Sequence, residues 1–98
     1  MIVVLGSVLV REGQMDAALD QALQHVRRSR TEPGCLSHAV HRDVENPQRL
    51  VFVEEWADMA ALQQHFRVPG SRAVVKALAA LSDEAPQMTI HEAQQIRP

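Results

Sequence analysis

Two histidines and a tryptophan are the residues of this chain best suited to chemistry. Trp56 is the only tryptophan among 98 residues, and His65 lies shortly after it. Because imidazole has a pKa near 6.5, His65 or His38 could act as a general base at neutral pH. The indole of Trp56 could stack on an aromatic ring. The sequence therefore predicts His65 and His38 as catalytic residues and Trp56 as a wall of the site.

Three further side chains complete the predicted site. Phe52 and Phe66 are the only phenylalanines, and they would supply an apolar slot for a ring. Arg72 could neutralise an anionic substrate or a developing negative charge. Each assignment has a structural alternative, because a buried aromatic is commonly a core residue and an arginine on a helix is commonly exposed. His65 could likewise be a hydrogen-bonded core group.

The remaining polar residues are better explained by structural roles than by binding of a cofactor. Glu54 shares a strand face with Trp56, and burying it without a partner would be costly, which predicts a salt link or a hydrogen bond. His38 and His41 would point to opposite faces of a strand, so their spacing is not a zinc signal. The four glycines are isolated, which leaves no phosphate-binding loop. The sequence thus predicts no metal, haem or flavin.

Composition excludes several classes of partner. The formal charge is -2 and the pI is about 6.2, and no run of basic residues is longer than Arg27-Arg28, so nucleic acid and anionic membranes are not expected partners. The single cysteine, Cys35, cannot form an internal disulfide, and the apolar N-terminal run is too short to span a bilayer. We expect a single domain over residues 1–98 and a cytoplasmic location.

Hydrophobic periodicity defines the elements that must position these side chains. The predicted order is a strand over Ile2 to Val10, a helix over Gln14 to Arg30, strands over Cys35 to Arg42 and Arg49 to Trp56, a helix capped by Asp58, a break at Pro69-Gly70, a second helix from Ser71, and a strand from Met88 to about Ala93. This order predicts an α+β fold with a ferredoxin-like β-α-β-β-α-α-β antiparallel sheet and its helices on one face.

The first strand is apolar on both of its faces. Ile2, Val4 and Val8 alternate with Val3 and Leu5, whereas a sheet face in contact with water would carry polar residues at every second position. The face without helices therefore needs cover. A second copy of the chain is the economical source, which predicts a homodimer.

The stretch from Glu32 to Phe66 resembles the central block of the antibiotic biosynthesis monooxygenase (ABM) family. Glu54-Glu55-Trp56-Ala57-Asp58 matches the Glu-x-Trp-x-Asp pattern of that family, and His65 matches the histidine of its Ala-Leu-x-x-His stretch. The resemblance implies a dimeric α+β barrel. It also implies a cofactor-independent monooxygenase that oxidises a small phenolic or quinol-type aromatic with molecular oxygen. The alternative is a non-catalytic homodimer of the same fold that binds a small aromatic ligand or is a stress-related protein.

The chain departs from the family pattern at points that matter for chemistry. Many relatives carry a second histidine after the proline, where this chain has Gly70, and the chain contains no tyrosine. Related haem-degrading oxygenases ligate haem through a histidine in the next helix, and no histidine occurs between Ser71 and Leu81. The resemblance therefore favours a cofactor-free site over a haem site.

Overall fold

The computed structural model describes every residue from Met1 to Pro98. Its elements are β1 (Ile2–Leu9), α1 (Met15–Ser29), β2 (Cys35–Arg42), β3 (Arg49–Trp56), α2 (Met59–Arg67), α3 (Pro69–Ala80) and β4 (Gln87–Glu92). This order confirms the predicted α+β fold, and the bounds of β2 and β3 are those expected from the sequence. None of the helices combines the length and the apolar character needed to cross a membrane.

The four strands form one antiparallel sheet in the order β2-β3-β1-β4. In β1, Gly6 pairs with Phe52 of β3 on one side and with Met88 of β4 on the other. This is the ferredoxin-like arrangement, in which the first and third strands occupy the centre of the sheet. The register matters for the site, because it sets which side chains of β1, β3 and β4 lie next to one another.

The helices cover one face of the sheet, and alternate strand residues point beneath them. On this face Leu50, Phe52, Glu54 and Trp56 of β3 are all buried. The other face carries half-buried Val3, Val51 and Val53 and the 44% exposed Leu5. Both faces of β1 therefore carry apolar residues, as predicted. In the single chain, the helix-free face has no cover.

The two helices that follow β3 meet at an extended residue. Asp58 caps α2, since its Oδ1 accepts a hydrogen bond from the backbone N–H of Ala61 at 2.8 Å. The predicted break at Pro69-Gly70 is displaced, because α2 ends at Arg67 and Pro69 already begins α3. Proline fits the first turn of a helix, where its missing N–H would have no partner anyway. Val68 makes the bend instead.

Gly34 forms the turn between α1 and β2. Its φ is +81°, a conformation that glycine adopts readily, and a β-carbon there would lie only 2.5 Å from Cβ of Ala61. The Gly34 carbonyl also accepts the N–H of Ala57 at 2.8 Å. This close approach brings the end of α1 against the start of α2, and with it Glu32 towards His65.

Candidate functional site

A small cleft lies between the sheet and the helices α2 and α3. Its walls are mainly apolar and include Phe52, Phe66, Val74 and Leu78, while Met88 of β4 lines its edge. The volume is about 90 Å³. Its polar residues are Ser7, His25, Glu54, His65, Ser71 and Gln87. An apolar slot with a few convergent polar groups is the usual form of a small-molecule site.

The cleft owes part of its width to a glycine. Gly6 lies on the helix-facing side of β1, between the buried residues Val4 and Val8. A β-carbon at Gly6 would lie 3.6 Å from Cβ of Phe52, an ordinary contact distance. Because Gly6 carries no side chain, the space that a larger residue would fill remains open beside Phe52.

His65 of α2 lines the cleft and is held by an acidic residue from the turn after α1. Its Nδ1 lies 2.8 Å from Oε1 of Glu32 and 3.4 Å from Oγ of Ser71, and its side chain is 3% exposed. An ionised carboxylate only accepts hydrogen bonds, so Nδ1 carries a proton. In the neutral ring the lone pair is then on Nε2. The tautomer and the orientation of His65 are therefore set by Glu32.

Glu54 is buried beside this ring with three nitrogen neighbours. Its Oε1 accepts a hydrogen bond from the Trp56 indole N–H at 2.9 Å, and it lies 3.3 Å from His38 Nε2 and 3.8 Å from His65 Nε2. Burial raises the pKa of the Glu54 carboxyl, but the contacts with His38 and Trp56 and the charge of His65 outweigh burial, and the net pKa lies below its ordinary value. Glu54 is thus a buried, paired carboxylate, as the sequence predicts.

A third buried histidine, His25, comes from α1. Its Nδ1 lies 2.7 Å from Nη2 of Arg28, and since guanidinium only donates, Nδ1 accepts and the ring is neutral. Burial, followed by the charges of His38 and Arg28, lowers the pKa of His25 to about 3. We call His25, His38 and His65 the histidine cluster. Their ring centroids are 5.2 to 5.6 Å apart.

The model of the antibiotic biosynthesis monooxygenase family matches residues 1–77. The chain belongs to the ABM family. An uncharacterized protein of Synechocystis sp. is 32% identical over 68 residues, a match that covers 69% of this chain and 46% of that relative. The chain thus spans about half the length of this curated relative.

Solved structures agree with the ABM assignment. A crystal structure of an antibiotic biosynthesis monooxygenase superposes with a TM-score of 0.88 at 26% identity and covers 97% of this chain and 100% of its own. A conserved protein from Methanosarcina mazei Go1 superposes with a TM-score of 0.90 at 24% identity, covering 95% and 92%. At this identity, the similarity to the Methanosarcina mazei protein shows the fold alone.

Three of the residues predicted for an ABM-type site lie on the cleft, and three do not. His65, Phe52 and Phe66 line it. Trp56, which was expected to form a wall, is fully buried behind His65, and the two ring centroids are 4.6 Å apart. It lies there because the end of β3 points it into a core with Ile2, Val4 and Leu62.

The positions of His38 and Arg72 also differ from the prediction. His38 is 1% exposed and lies beside Glu54, away from the cleft wall. Arg72 was expected at the rim but is exposed and does not line the cleft. Its neighbour Ser71 faces inward, and consecutive residues of a helix point in different directions. The prediction that His38 and His41 occupy opposite faces is confirmed, since His41 is exposed.

Arg28 of α1 lies against Gly70 at the start of α3. Its Nη2 donates to Oγ of Ser71 at 3.2 Å, and its Nε lies 3.6 Å from Oε2 of Glu32. A β-carbon on Gly70 would collide with Nη1 of Arg28. Glycine at this position therefore leaves room for the guanidinium.

The sequence analysis missed His25, Arg28, Glu32 and Ser71. A signal existed for His25, because it shares the buried face of α1 with Ala22 and Val26. The convergence of His25, His38 and His65 was also not predicted. The sequence showed only the spacing along one strand, whereas the three histidines come from α1, β2 and α2.

Proposed function

We propose that the protein is a cofactor-independent monooxygenase that oxidises a small phenolic or quinol-type aromatic with molecular oxygen. Membership of the ABM family supports this reaction class. The observation that carries the proposal is His65 on the wall of an apolar cleft, with its Nδ1 held 2.8 Å from Glu32. A histidine oriented by a carboxylate is the usual arrangement of a general base.

The first step is removal of the phenolic proton by Nε2 of His65. The resulting anion passes one electron to oxygen, and the two radicals recombine to form a carbon–oxygen bond on the ring. Loss of water from the hydroperoxide, with the hydrogen of that ring carbon, leaves a quinone. One phenol and one O₂ thus give one quinone and one water. Protonated His65, between Glu32 and Glu54, can return its proton to the departing oxygen.

The size and lining of the cleft support a single-ring substrate. Pockets for drug-sized ligands measure roughly 300–1,000 Å³, whereas this cleft measures about 90 Å³. Phe52 and Phe66 offer aromatic contact, and Val75 and Met88 at the edge are 47% and 48% exposed. Small movements of these two exposed side chains would enlarge the entrance. Arg72 and Trp56 do not line the cleft and have no direct role in this mechanism.

We further propose that the protein works as a homodimer whose subunits pack through their helix-free sheet faces. Val3, Leu5, Val51 and Val53 make this face apolar, and Leu5 is 44% exposed in the single chain. Apolar surface of this kind is normally covered in a working protein. The cleft lies on the other side of the sheet, so each subunit would keep its own site.

The test is oxygen consumption by chelator-treated protein supplied with a panel of single-ring quinols and phenols. We expect uptake that depends on both protein and substrate, with one quinone formed for each O₂ consumed. Saturable ring binding without oxygen uptake would contradict the enzyme and support the non-catalytic ligand-binding protein instead. Uptake only after addition of a metal would contradict cofactor independence.

A further inference from the structure

We propose that the histidine cluster, together with Glu54, is a binding site for one divalent transition-metal ion. The three imidazoles come from α1, β2 and α2, and all three are buried. Nothing in the proposed oxygenation requires His25 or His38. Their convergence on His65 and on one carboxylate therefore calls for a separate explanation.

The donor atoms are near enough for side-chain movements to bring them onto one ion. One nitrogen from each histidine can be chosen so that all three lie within 4.8 Å of one another. Zinc–nitrogen bonds are about 2.0–2.1 Å, so at the tetrahedral angle two nitrogens on one ion are about 3.4 Å apart. Glu54 Oε1 already lies 3.3 Å from His38 Nε2 and 3.8 Å from His65 Nε2. The histidine nitrogens would approach one another by up to about 1.4 Å to complete a tetrahedral set.

His38 supplies the independent sign of a missing ligand. Both of its ring nitrogens are buried and lack a hydrogen-bond partner, although Nε2 lies near Glu54 in a direction unsuited to a hydrogen bond. Leaving a buried polar group unpaired costs about 1–3 kcal/mol. A metal ion between His38, His65 and Glu54 would satisfy Nε2 of His38 and neutralise the carboxylate.

The outer contacts orient two of the four ligands. Glu32 binds Nδ1 of His65 at 2.8 Å and leaves Nε2 free, as in the carboxylate–histidine–metal arrangement. The Trp56 indole donates to Glu54 at 2.9 Å. His25 is not oriented for a metal in this way, because Arg28 donates a hydrogen bond to its Nδ1. That hydrogen bond would have to break before His25 could bind the ion. Arg28 would keep its contacts with Ser71 and Glu32.

The donor set defines the chemical class of the ion. Three imidazoles and one carboxylate suit Zn²⁺, Co²⁺, Ni²⁺ and Fe²⁺, whereas Mg²⁺ and Ca²⁺ prefer oxygen ligands. Metal binding would occupy Nε2 of His65, the lone pair that the proposed base needs. On the assumption that the proposed function holds, the bound metal would therefore inhibit oxygenation.

The experiment is a metal titration of protein without a histidine tag, after treatment with chelator. Zn²⁺ binding is followed by calorimetry, and Co²⁺ binding by its visible ligand-field absorption. We expect one ion per chain. His38→Ala should weaken binding by more than the roughly 10–100-fold that loss of an outer partner typically costs, and Glu32→Ala by about 10–100-fold. His41→Ala, on the exposed face of the same strand, is the matched control and should bind like wild type.

Absence of one-to-one binding in the wild type would overturn the metal site, and so would equal affinity in folded His38→Ala. If His38→Ala does not fold, the wild-type titration and Glu32→Ala still decide. The outcome is independent of the oxygenase proposal. Oxygen uptake by chelator-treated protein that binds no metal would support the oxygenase and contradict the metal site. Tight metal binding by a protein that shows no oxygen uptake would support the metal site and contradict the oxygenase.

Discussion

Nδ1 of His65 and Oε1 of Glu32 lie 2.8 Å apart, a contact that joins α2 to the turn after α1. Glu32 does not line the cleft, whereas His65 does. The carboxylate can therefore act on a bound ring only through the imidazole. It fixes which nitrogen carries the proton and which way the ring faces.

Replacing Glu32 should impair turnover more than substrate binding. Glu32→Ala removes the partner of Nδ1, and we expect kcat to fall by about 100-fold, the loss that a misplaced catalytic group can cause. KM should change little because Glu32 is absent from the cleft wall. Glu32→Gln retains an acceptor oxygen and should recover part of kcat. A rise in KM with unchanged kcat in Glu32→Ala would contradict a positioning role.

Filling the cleft should block ligands without touching the histidines. Gly6→Val places a branched side chain beside Phe52, where a β-carbon fits at 3.6 Å. We expect the protein to fold and to lose affinity for single-ring ligands by at least about tenfold. Titration of intrinsic Trp56 fluorescence with a phenol measures this. Unchanged ring binding in folded Gly6→Val would place the ligand elsewhere.

The two faces of β1 should respond differently to a buried charge. Leu5 is 44% exposed in the single chain, so Leu5→Asp should leave a folded subunit but weaken association by at least about 100-fold. Val4 is fully buried under the helices, and Val4→Asp should prevent folding. Sedimentation separates the two cases. Val44→Asp, at a 98% exposed position, is the control, and a monomeric wild type at micromolar concentration would contradict the dimer.

The metal-free protein should lose stability as the pH falls below 6.5. His25 has an ordinary pKa of 6.5 when unfolded and a pKa of about 3 when buried, so between these values the unfolded chain binds more protons. Stability is then fully present above pH 6.5 and is lost as the pH falls towards 3. Glu54, whose pKa is also lowered, adds to the loss below its ordinary value of 4.5.

Urea unfolding between about pH 7 and about pH 5 isolates the contribution of His25, since Glu54 titrates at lower pH. His25→Gln keeps an acceptor for Arg28 but does not titrate, so its unfolding midpoint should vary less with pH. An equally steep pH dependence in wild type and His25→Gln would contradict this account.

Most of the fold follows from local patterns. The apolar run Leu50 to Val53 and the turn residues before Arg49 predict the observed bounds of β3, and Asp58 predicts the cap of α2. The error at Pro69 arises because proline both ends helices and begins them. The residues next to Pro69 in the sequence do not show whether it ends α2 or begins α3. The extended backbone of Val68 in the structure shows that Pro69 begins α3.

The site is less predictable because its contacts link distant parts of the chain. His65 and Glu32 are 33 positions apart, and Arg28 and Ser71 are 43 apart. No periodicity shows that His25 and His38 face the same point. Residue type singled out His65 and Phe52, which do line the cleft. It also predicted Trp56 as a cleft wall, but the position of Trp56 at the end of β3 buries it instead.

The most direct test of the central claim is the rate of oxygen uptake by chelator-treated His65→Ala, compared with wild type, on a quinol that the wild type oxidises. Loss of a general base typically costs about 10²–10⁴-fold, and we expect a fall in that range with the fold preserved by circular dichroism. His91→Ala, at an exposed position on β4, should be unaffected. Wild-type oxygen uptake by folded His65→Ala would contradict base catalysis at this site.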